Sequence, residues 1–91
     1  MKQIRVLITG RVQGVWYRGW TVDKAKAIGV QGWVRNLGSG QVEAVIRGEE
    51  ADVEVMVEAC WHGPELAKVE AIETFVDTSD LEDENLFIQI R

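Results

Sequence analysis

The chain has 91 residues, of which 46% are hydrophobic, and these values fit one domain with a single modest core. Its formal net charge of −5 argues against a nucleic-acid partner, because such partners favour a basic face. No apolar run reaches the roughly 18 residues of a membrane span, the N-terminus does not resemble a signal peptide, and the lone Cys60 excludes an intramolecular disulfide. We therefore expect one cytoplasmic domain over residues 1–91.

The first half of the chain predicts a strand, a helix and a hairpin. Apolar residues alternate with polar ones over residues 3–9, which is typical of a strand. Residues 19–28 favour a helix that stops at Gly29. Residues 30–36 and 41–47 then predict the two arms of a hairpin, joined by a short glycine-containing turn.

The second half predicts another helix and two strands. Residues 49–61 form an amphipathic helix, with apolar side chains at helical spacing at Val53, Met56, Val57 and Cys60. Residues 67–76 follow the break at Gly63-Pro64 and predict a strand. A solvated loop is expected at the acidic residues Asp77, Asp80, Glu82, Asp83 and Glu84, before a closing strand with Leu86, Ile88 and Ile90.

This order of elements predicts an α+β fold of the ferredoxin-like kind. It is a βαββαβ sandwich in which a mainly antiparallel sheet carries two helices on one face. The last apolar segment adds a short C-terminal fifth strand. Many functions use this architecture, so the fold alone does not assign one.

Charge is divided unevenly along the chain. Residues 1–47 carry a net charge of +6, and residues 48–91 carry −11. The basic half is consistent with a small anionic ligand. The other interpretation is that the two halves interleave in the fold, so that the asymmetry disappears.

The loop before the first helix, GRVQGVWYR at residues 10–18, favours anion binding. Gly14 allows a positive φ angle or a close approach of the backbone to a ligand. Backbone N–H groups at a helix N-terminus bind anions, and Arg18 adds a planar fork of donors suited to phosphate oxygens. The loop is neither a Walker A nor a GxGxxG sequence. A glycine-containing turn beside a solvated arginine is the simpler alternative.

The chain resembles the acylphosphatase family. The matching segments keep the family's order and spacing: GRVQGVWYR at 10–18 with Thr21, then Gly29, GWVRN at 32–36, GQVE at 40–43, Gly48 and GPELAKV at 63–69. The resemblance runs from the first strand to the fourth, which is nearly the whole chain. It implies hydrolysis of acyl phosphates to a carboxylate and inorganic phosphate by in-line attack of water.

The resemblance also implies roles for individual residues. The phosphate-binding loop would comprise Gly14, Val15, Trp16, Tyr17 and Arg18, with Arg18 as the charged anchor. Asn36 would orient the attacking water, whereas Gln13 would shape the loop. We expect neither a cofactor nor a metal, since phosphoryl transfer needs mainly positioning and charge stabilisation. The expected state is a monomer acting on a small acyl phosphate.

Two residues depart from the family pattern, and two other function classes stay open. Trp16 stands where relatives often have glycine or a smaller apolar residue, and its bulk would narrow the loop or form one wall for the acyl group. Gly19 weakens the first helical turn and would loosen the support of Arg18. The alternatives are a non-catalytic phosphometabolite-binding module, and a carbamoyl-phosphate-acting domain like that of hydrogenase maturation proteins.

The remaining chemically notable residues favour structural interpretations. His62 is expected to be exposed and inert, and Cys60 to belong to the core. The acidic pairs are expected to be solvated, and they are Glu49/Glu50 and Asp83/Glu84. Packing roles are expected for Trp20, Trp33 and Trp61.

Overall fold

The computed structural model describes residues 1–81 and 86–91. Within these residues, five strands and two helices follow one another in the predicted order: β1 (Lys2–Arg11), α1 (Tyr17–Ile28), β2 (Gln31–Asn36), β3 (Val42–Gly48), α2 (Glu50–His62), β4 (Lys68–Val76) and β5 (Phe87–Gln89). Three residues of the predicted acidic loop, Glu82, Asp83 and Glu84, lie outside the described residues, and the Asp83/Glu84 pair lies there with them.

The strands form one sheet in the order β4-β1-β3-β2-β5. All neighbouring strands are antiparallel except β2 and β5, which run parallel. The strands of the acidic half, β4 and β5, are therefore the two edges of the sheet, and the three strands of the basic half lie between them.

Both helices cover the same face of the sheet. Tyr17, Thr21 and Ala25 are the buried residues of α1, at a spacing of one helical turn. The apolar stripe predicted for α2 is confirmed, with Val53, Met56 and Cys60 buried and Val57 packed against the same core. The inward side chains of the central strands complete this core, and they include Val6, Ile8, Val34, Ala44 and Ile46. The ferredoxin-like α+β prediction is thus confirmed.

The other face of the sheet carries no helix and is organised around Glu43. Glu43 is only 6% exposed, and it forms ion pairs with Arg5 at 3.1 Å and with Arg35 at 2.6 Å. Arg5 also lies over the Phe75 ring, and Arg35 lies over the Trp33 ring. These stacked pairs give the helix-free face its polar covering.

Helix α1 begins earlier than its sequence predicts, at Tyr17 rather than Gly19. Trp16 adopts a left-handed conformation, and its carbonyl accepts the first helical hydrogen bond from the Trp20 N–H at 3.0 Å. The helix stops where predicted, because the Gly29 N–H bonds the Ala25 carbonyl from a left-handed backbone at φ 97°.

The closing strand uses the opposite face from the one its apolar pattern suggests. Phe87 is buried in the core, whereas Leu86 and Ile88 are exposed. The cause is the parallel register with β2, which sets Phe87 opposite Gly32 and Gln89 opposite the buried Val34. Trp61 also departs from its expected packing role, since it is 44% exposed. Within the described residues, no helix has the length and apolarity needed to cross a membrane.

Candidate active site

Two residues with positive φ angles shape the loop between β1 and α1. Gly14 has φ 74°, a conformation that side-chain-bearing residues rarely adopt. Trp16 has φ 67°, and it is the one non-glycine residue with positive φ in the described part of the chain. Holding a bulky residue there costs about 1–2 kcal/mol. The two left-handed residues turn the chain abruptly. The loop therefore ends directly at the N-terminus of α1.

A small cavity of about 130 Å³ opens at this end of the helix. It is lined by Val12, Gly14, Trp16, Tyr17, Arg18, Gly19, Asn36 and Gln89. We call it the phosphoryl cavity, after the ligand that the sequence motif predicts for it. It joins the loop, the first turn of α1 and the last residue of β2, because β5 and β2 lie beside the start of the helix in the fold.

Arg18 is the cationic residue of the phosphoryl cavity. It is half-buried on the first turn of α1, and its guanidinium forms no hydrogen bond or ion pair with any described residue. Its five N–H donors are thus available to a ligand, and the positive end of the helix dipole reinforces their charge.

Asn36 lines the same cavity and carries an unmatched acceptor. Its Oδ1 is buried and has no hydrogen-bond partner among the described residues. Leaving such an atom unpaired costs about 1–3 kcal/mol. A water molecule that reached Oδ1 from the cavity and donated a hydrogen bond to it would remove this cost.

Gln13 ties the loop to the hairpin that carries Asn36. Its Nε2 donates to the carbonyl oxygens of Leu37 and Gln41, each at 2.9 Å. Gln41 is held in turn by a hydrogen bond from its Nε2 to Thr9 Oγ1 at 3.0 Å. These contacts are the kind that a loop-shaping residue makes, and the Gln13 side chain is not part of the cavity lining.

The loop residues contribute to the site in different ways. Val15 is buried and lines a neighbouring groove instead of the phosphoryl cavity. Tyr17 lines the cavity, yet its ring is fully buried and its hydroxyl donates to the Cys60 carbonyl at 2.5 Å. Burial raises the pKa of Tyr17 far above its ordinary value of 10.0, so the hydroxyl stays protonated as a donor. Tyr17 thus anchors the first turn of α1 to α2.

Sequence reasoning missed Gln89 as a cavity residue. It reaches the site through the parallel pairing of β5 with β2, opposite Val34. The only signal in the sequence is a glutamine inside the otherwise apolar closing segment LFIQI. That signal acquires meaning only when the strand order is known.

Cys60, His62 and the pair Glu49/Glu50, which the sequence analysis set aside as structural, behave as expected. Cys60 is buried in the core, and burial raises the pKa of its thiol to about 12. His62 is exposed and lies 3.6 Å from Glu58 one turn earlier on the helix. Glu49 and Glu50 are also exposed.

A groove between α2 and β4 is chemically unsuited to a phosphoryl group, although its volume of about 400 Å³ exceeds that of the phosphoryl cavity. Its charged lining consists of one base, Lys2, and two acids, Glu54 and Glu58. This groove, although larger, thus lacks the unpaired guanidinium that Arg18 contributes to the phosphoryl cavity.

Comparison with known proteins agrees with the geometry. The acylphosphatase family model matches residues 4–88. The acylphosphatase of Rhodospirillum rubrum is 57% identical over 70 residues, which are 77% of this chain and 77% of that protein. The crystal structure of acylphosphatase from Bacillus subtilis superposes with a TM-score of 0.92 at 34% identity, and the match covers 100% of both chains.

A much larger protein contains a similar domain. The crystal structure of HypF from T. kodakarensis matches with a TM-score of 0.83 at 30% identity, over 98% of this chain but only 12% of that one. The family model, by contrast, spans almost all of the residues that form the sheet, the helices and the phosphoryl cavity. The chain belongs to the acylphosphatase family.

Proposed function

We propose that this acylphosphatase-family enzyme hydrolyses acyl phosphates within the phosphoryl cavity, where Arg18 and the loop amides bind the phosphoryl group and Asn36 orients the attacking water. The observation that carries the proposal is that Asn36, whose buried Oδ1 has no hydrogen-bond partner among the described residues, lines the same cavity as Gly14 and Arg18. One small space thus brings together the residue proposed to orient water and the residues proposed to bind phosphate.

Binding in this site depends on charge and on geometry. The guanidinium of Arg18 forms two parallel hydrogen bonds to phosphoryl oxygens, and N–H groups from the loop at residues 14–18 contribute further donors. Because the loop is held by strained backbone and by the Gln13 contacts, these donors are oriented before the substrate arrives. Such preorganised donors stabilise the charge on the equatorial oxygens in the transition state.

The hydrolytic step needs little covalent assistance from the protein. Water bound to Asn36 Oδ1 attacks phosphorus, and the bond from phosphorus to the bridging oxygen breaks. The leaving group is a carboxylate, a weak base, so no general acid is required. The protons of the water remain on the phosphate product or pass to solvent. Asn36 contributes alignment of the attacking oxygen with the leaving group.

Asn36 also favours an enzyme over a phosphometabolite-binding module. A module that only binds phosphate gains from Arg18 and the loop, whereas a buried acceptor without a partner disfavours the approach of an anionic oxygen. A carbamoyl-phosphate-acting domain remains the second candidate, and the similarity to part of HypF favours testing it.

The direct test is phosphate release from benzoyl phosphate, acetyl phosphate and carbamoyl phosphate, with and without EDTA. We expect turnover to survive EDTA, because no group of three metal-ligating side chains occurs within residues 1–81 and 86–91. Arg18→Ala should lower kcat/KM by about a hundredfold or more, as expected for loss of a charged transition-state donor.

Arg11→Ala is the matched control for this test. Arg11 is exposed at the end of β1 and is not part of the cavity lining, so its loss should leave kcat/KM nearly unchanged. Equal effects of the two substitutions would contradict the role of Arg18, since they would report only the overall charge. Turnover of carbamoyl phosphate alone would favour the second candidate.

The proposal includes a monomer that works in the cytoplasm. One chain supplies every side chain named in the site, so no partner subunit is needed to complete it. The single cysteine is buried and unpaired, which is compatible with a reducing compartment. Light scattering should give a mass near 10.2 kDa, and a dimer mass would contradict the monomer.

A further inference from the structure

A second groove adjoins the phosphoryl cavity and shares one wall with it. The groove has a volume of about 540 Å³, and its walls come from Val15, Trp16 and Trp20 and from residues 63–66. Trp16 is the one described residue that lines both spaces. A ligand whose anionic end occupies the phosphoryl cavity therefore has this groove directly beside it. We call it the acyl groove.

The lining of the acyl groove is mainly apolar. Trp16 is 63% exposed and Leu66 is 67% exposed, and Trp20 and Pro64 extend the same surface. Such exposed apolar area gains free energy when a ligand covers it. Glu65 is the only charged residue of the described lining, and its carboxylate disfavours an occupant that carries negative charge of its own.

The groove is formed before any ligand binds. Gly63 lies against the Tyr17 ring so closely that a Cβ at residue 63 would be 2.8 Å from Tyr17 Cε2. The Tyr17 hydroxyl bonds the Cys60 carbonyl at the end of α2, and the Ala67 N–H bonds the Pro64 carbonyl at 3.0 Å. Tyr17 precedes Arg18 in the chain, so the same anchor fixes both the phosphate-binding arginine and the wall of the groove. A preformed groove lowers the ordering cost of binding.

We propose that the acyl groove binds the acyl group of the substrate and makes the enzyme prefer bulky, uncharged, apolar acyl phosphates, aromatic ones above all. This inference rests on the proposed function, because the group in the groove is covalently joined to the phosphoryl group held beside Arg18. The acyl carbonyl carbon is only two bonds from phosphorus, so the rest of the acyl group must leave the phosphoryl cavity at once. Trp16 stands at that exit.

The physical reason for the preference is reach. An acetyl group ends one carbon beyond the carbonyl, whereas a phenyl ring extends further from the phosphoryl group and offers more apolar area to Trp16 and Leu66. Aromatic rings also stack favourably in offset or edge-to-face arrangements. The groove should thus lower the transition-state free energy of benzoyl phosphate and leave that of acetyl phosphate almost unaffected.

The test is the ratio of kcat/KM for benzoyl phosphate to kcat/KM for acetyl phosphate, measured for the wild type and for Leu66→Ser. We expect the substitution to lower the benzoyl value by about fivefold and to change the acetyl value by less than about twofold. Leu66→Phe should raise the ratio. Because residue 66 is exposed, both variants should fold, and inhibition by inorganic phosphate should be unchanged.

Val55→Ser is the matched control. Val55 is an apolar residue of α2 that is 54% exposed and does not line the acyl groove, so its substitution should leave the ratio unchanged. An unchanged ratio in Leu66→Ser, or equal losses for both substrates, would show that the groove does not bind the acyl group, while the proposed hydrolysis would stand. If the wild type released phosphate from neither substrate, the proposed function itself would be wrong, and the acyl groove with it.

Discussion

The indole ring of Trp16 lies over Gly19, so that a Cβ at residue 19 would be 2.7 Å from Trp16 Cδ1. Sequence alone presents Gly19 as a weak point in the first helical turn, since glycine costs about 1 kcal/mol relative to alanine inside a helix. The structure adds a packing reason for it. The absence of a side chain at residue 19 provides the space in which the left-handed Trp16 rests its ring.

This relationship predicts that Gly19→Ala and Trp16→Gly are strongly coupled in stability. In the Trp16→Gly background, where the ring is absent, Gly19→Ala should raise the free energy of unfolding by about 1 kcal/mol through helix propensity. In the wild-type background the new methyl group must displace the indole, so the same substitution should give no gain or a loss. Urea denaturation of the four proteins in the cycle measures the difference.

Additive effects in this cycle would contradict the contact between the two residues. Gly38→Ala offers a comparison, because a Cβ at residue 38 meets nothing within 4 Å. Its effect on stability should be the same with and without the Trp16 ring.

Asn36→Ala should separate catalysis from binding. Loss of the Oδ1 acceptor removes the group that orients water, so kcat should fall by about a hundredfold, as for loss of one transition-state contact. Phosphate affinity, measured by calorimetry, should stay close to that of the wild type because Arg18 and the loop are intact. Stability should not fall appreciably, since the deleted oxygen is buried without a partner.

The opposite pattern would remove Asn36 from the mechanism. A variant with nearly normal kcat, or one that loses phosphate binding and kcat together, would show that Asn36 either is inert or supports the loop. Asn36→Asp is an informative companion, because its carboxylate keeps an acceptor but repels the phosphoryl group, and it should weaken phosphate binding.

Gln13→Ala should loosen the loop without removing a chemical group. The substitution deletes two hydrogen bonds from Gln13 Nε2, to the Leu37 and Gln41 carbonyls, and these join the loop to the hairpin that carries Asn36. We expect stability to fall by about 1–2 kcal/mol and kcat/KM to fall by about tenfold, because displaced donors no longer match the substrate.

Gln31→Ala is the control for the loop contacts. Gln31 is also a half-buried glutamine, at the start of β2, but it does not line the phosphoryl cavity. If Gln13→Ala retained the wild-type kcat/KM while losing stability, the two hydrogen bonds would be structural only.

Much of the fold could be predicted because local rules and tertiary packing agree. The stripe from Val53 to Cys60 reads as a helix face at the sequence level and packs as one. Gly29 stops α1 because a left-handed residue is needed there, and glycine adopts it at little cost. In such segments the pattern and the structure obey the same physical constraint.

Two features of the structure that the sequence did not predict result from the long-range pairing of β5 with β2. The pattern at Leu86, Ile88 and Ile90 indicated an apolar face, yet the parallel register with β2 turned Phe87 inward. The cavity position of Gln89 follows from that same register. The early start of α1 depends on the strained backbone of Trp16, which propensity does not predict.

The site could be predicted only in its composition. Arg18 and Asn36 are 18 residues apart in the chain, and their juxtaposition requires the hairpin and α1 to lie at the same end of the sheet. The motif resemblance identified both residues. The orphaned Oδ1 and the groove beside Trp16 emerged only from the three-dimensional arrangement.

Stability should decrease with pH above about 9 because of the buried Cys60. The thiol has a pKa of about 12 in the folded protein and an ordinary value of 9.0, so the folded state retains a proton that the unfolded chain releases. Since the unfolded state binds fewer protons in this window, the contribution of this thiol to the free energy of unfolding is constant below pH 8 and falls as the pH rises toward 12. The loss should be about 1 kcal/mol between pH 8 and 10, measured by urea denaturation. Tyr17, whose pKa is also raised by burial, adds to the loss above pH 10.

Cys60→Ala is the control for this prediction, because it removes the titrating thiol. The substitution should flatten the plot of the free energy of unfolding against pH between pH 8 and 10. An equally steep decrease in that variant would show that other groups cause it.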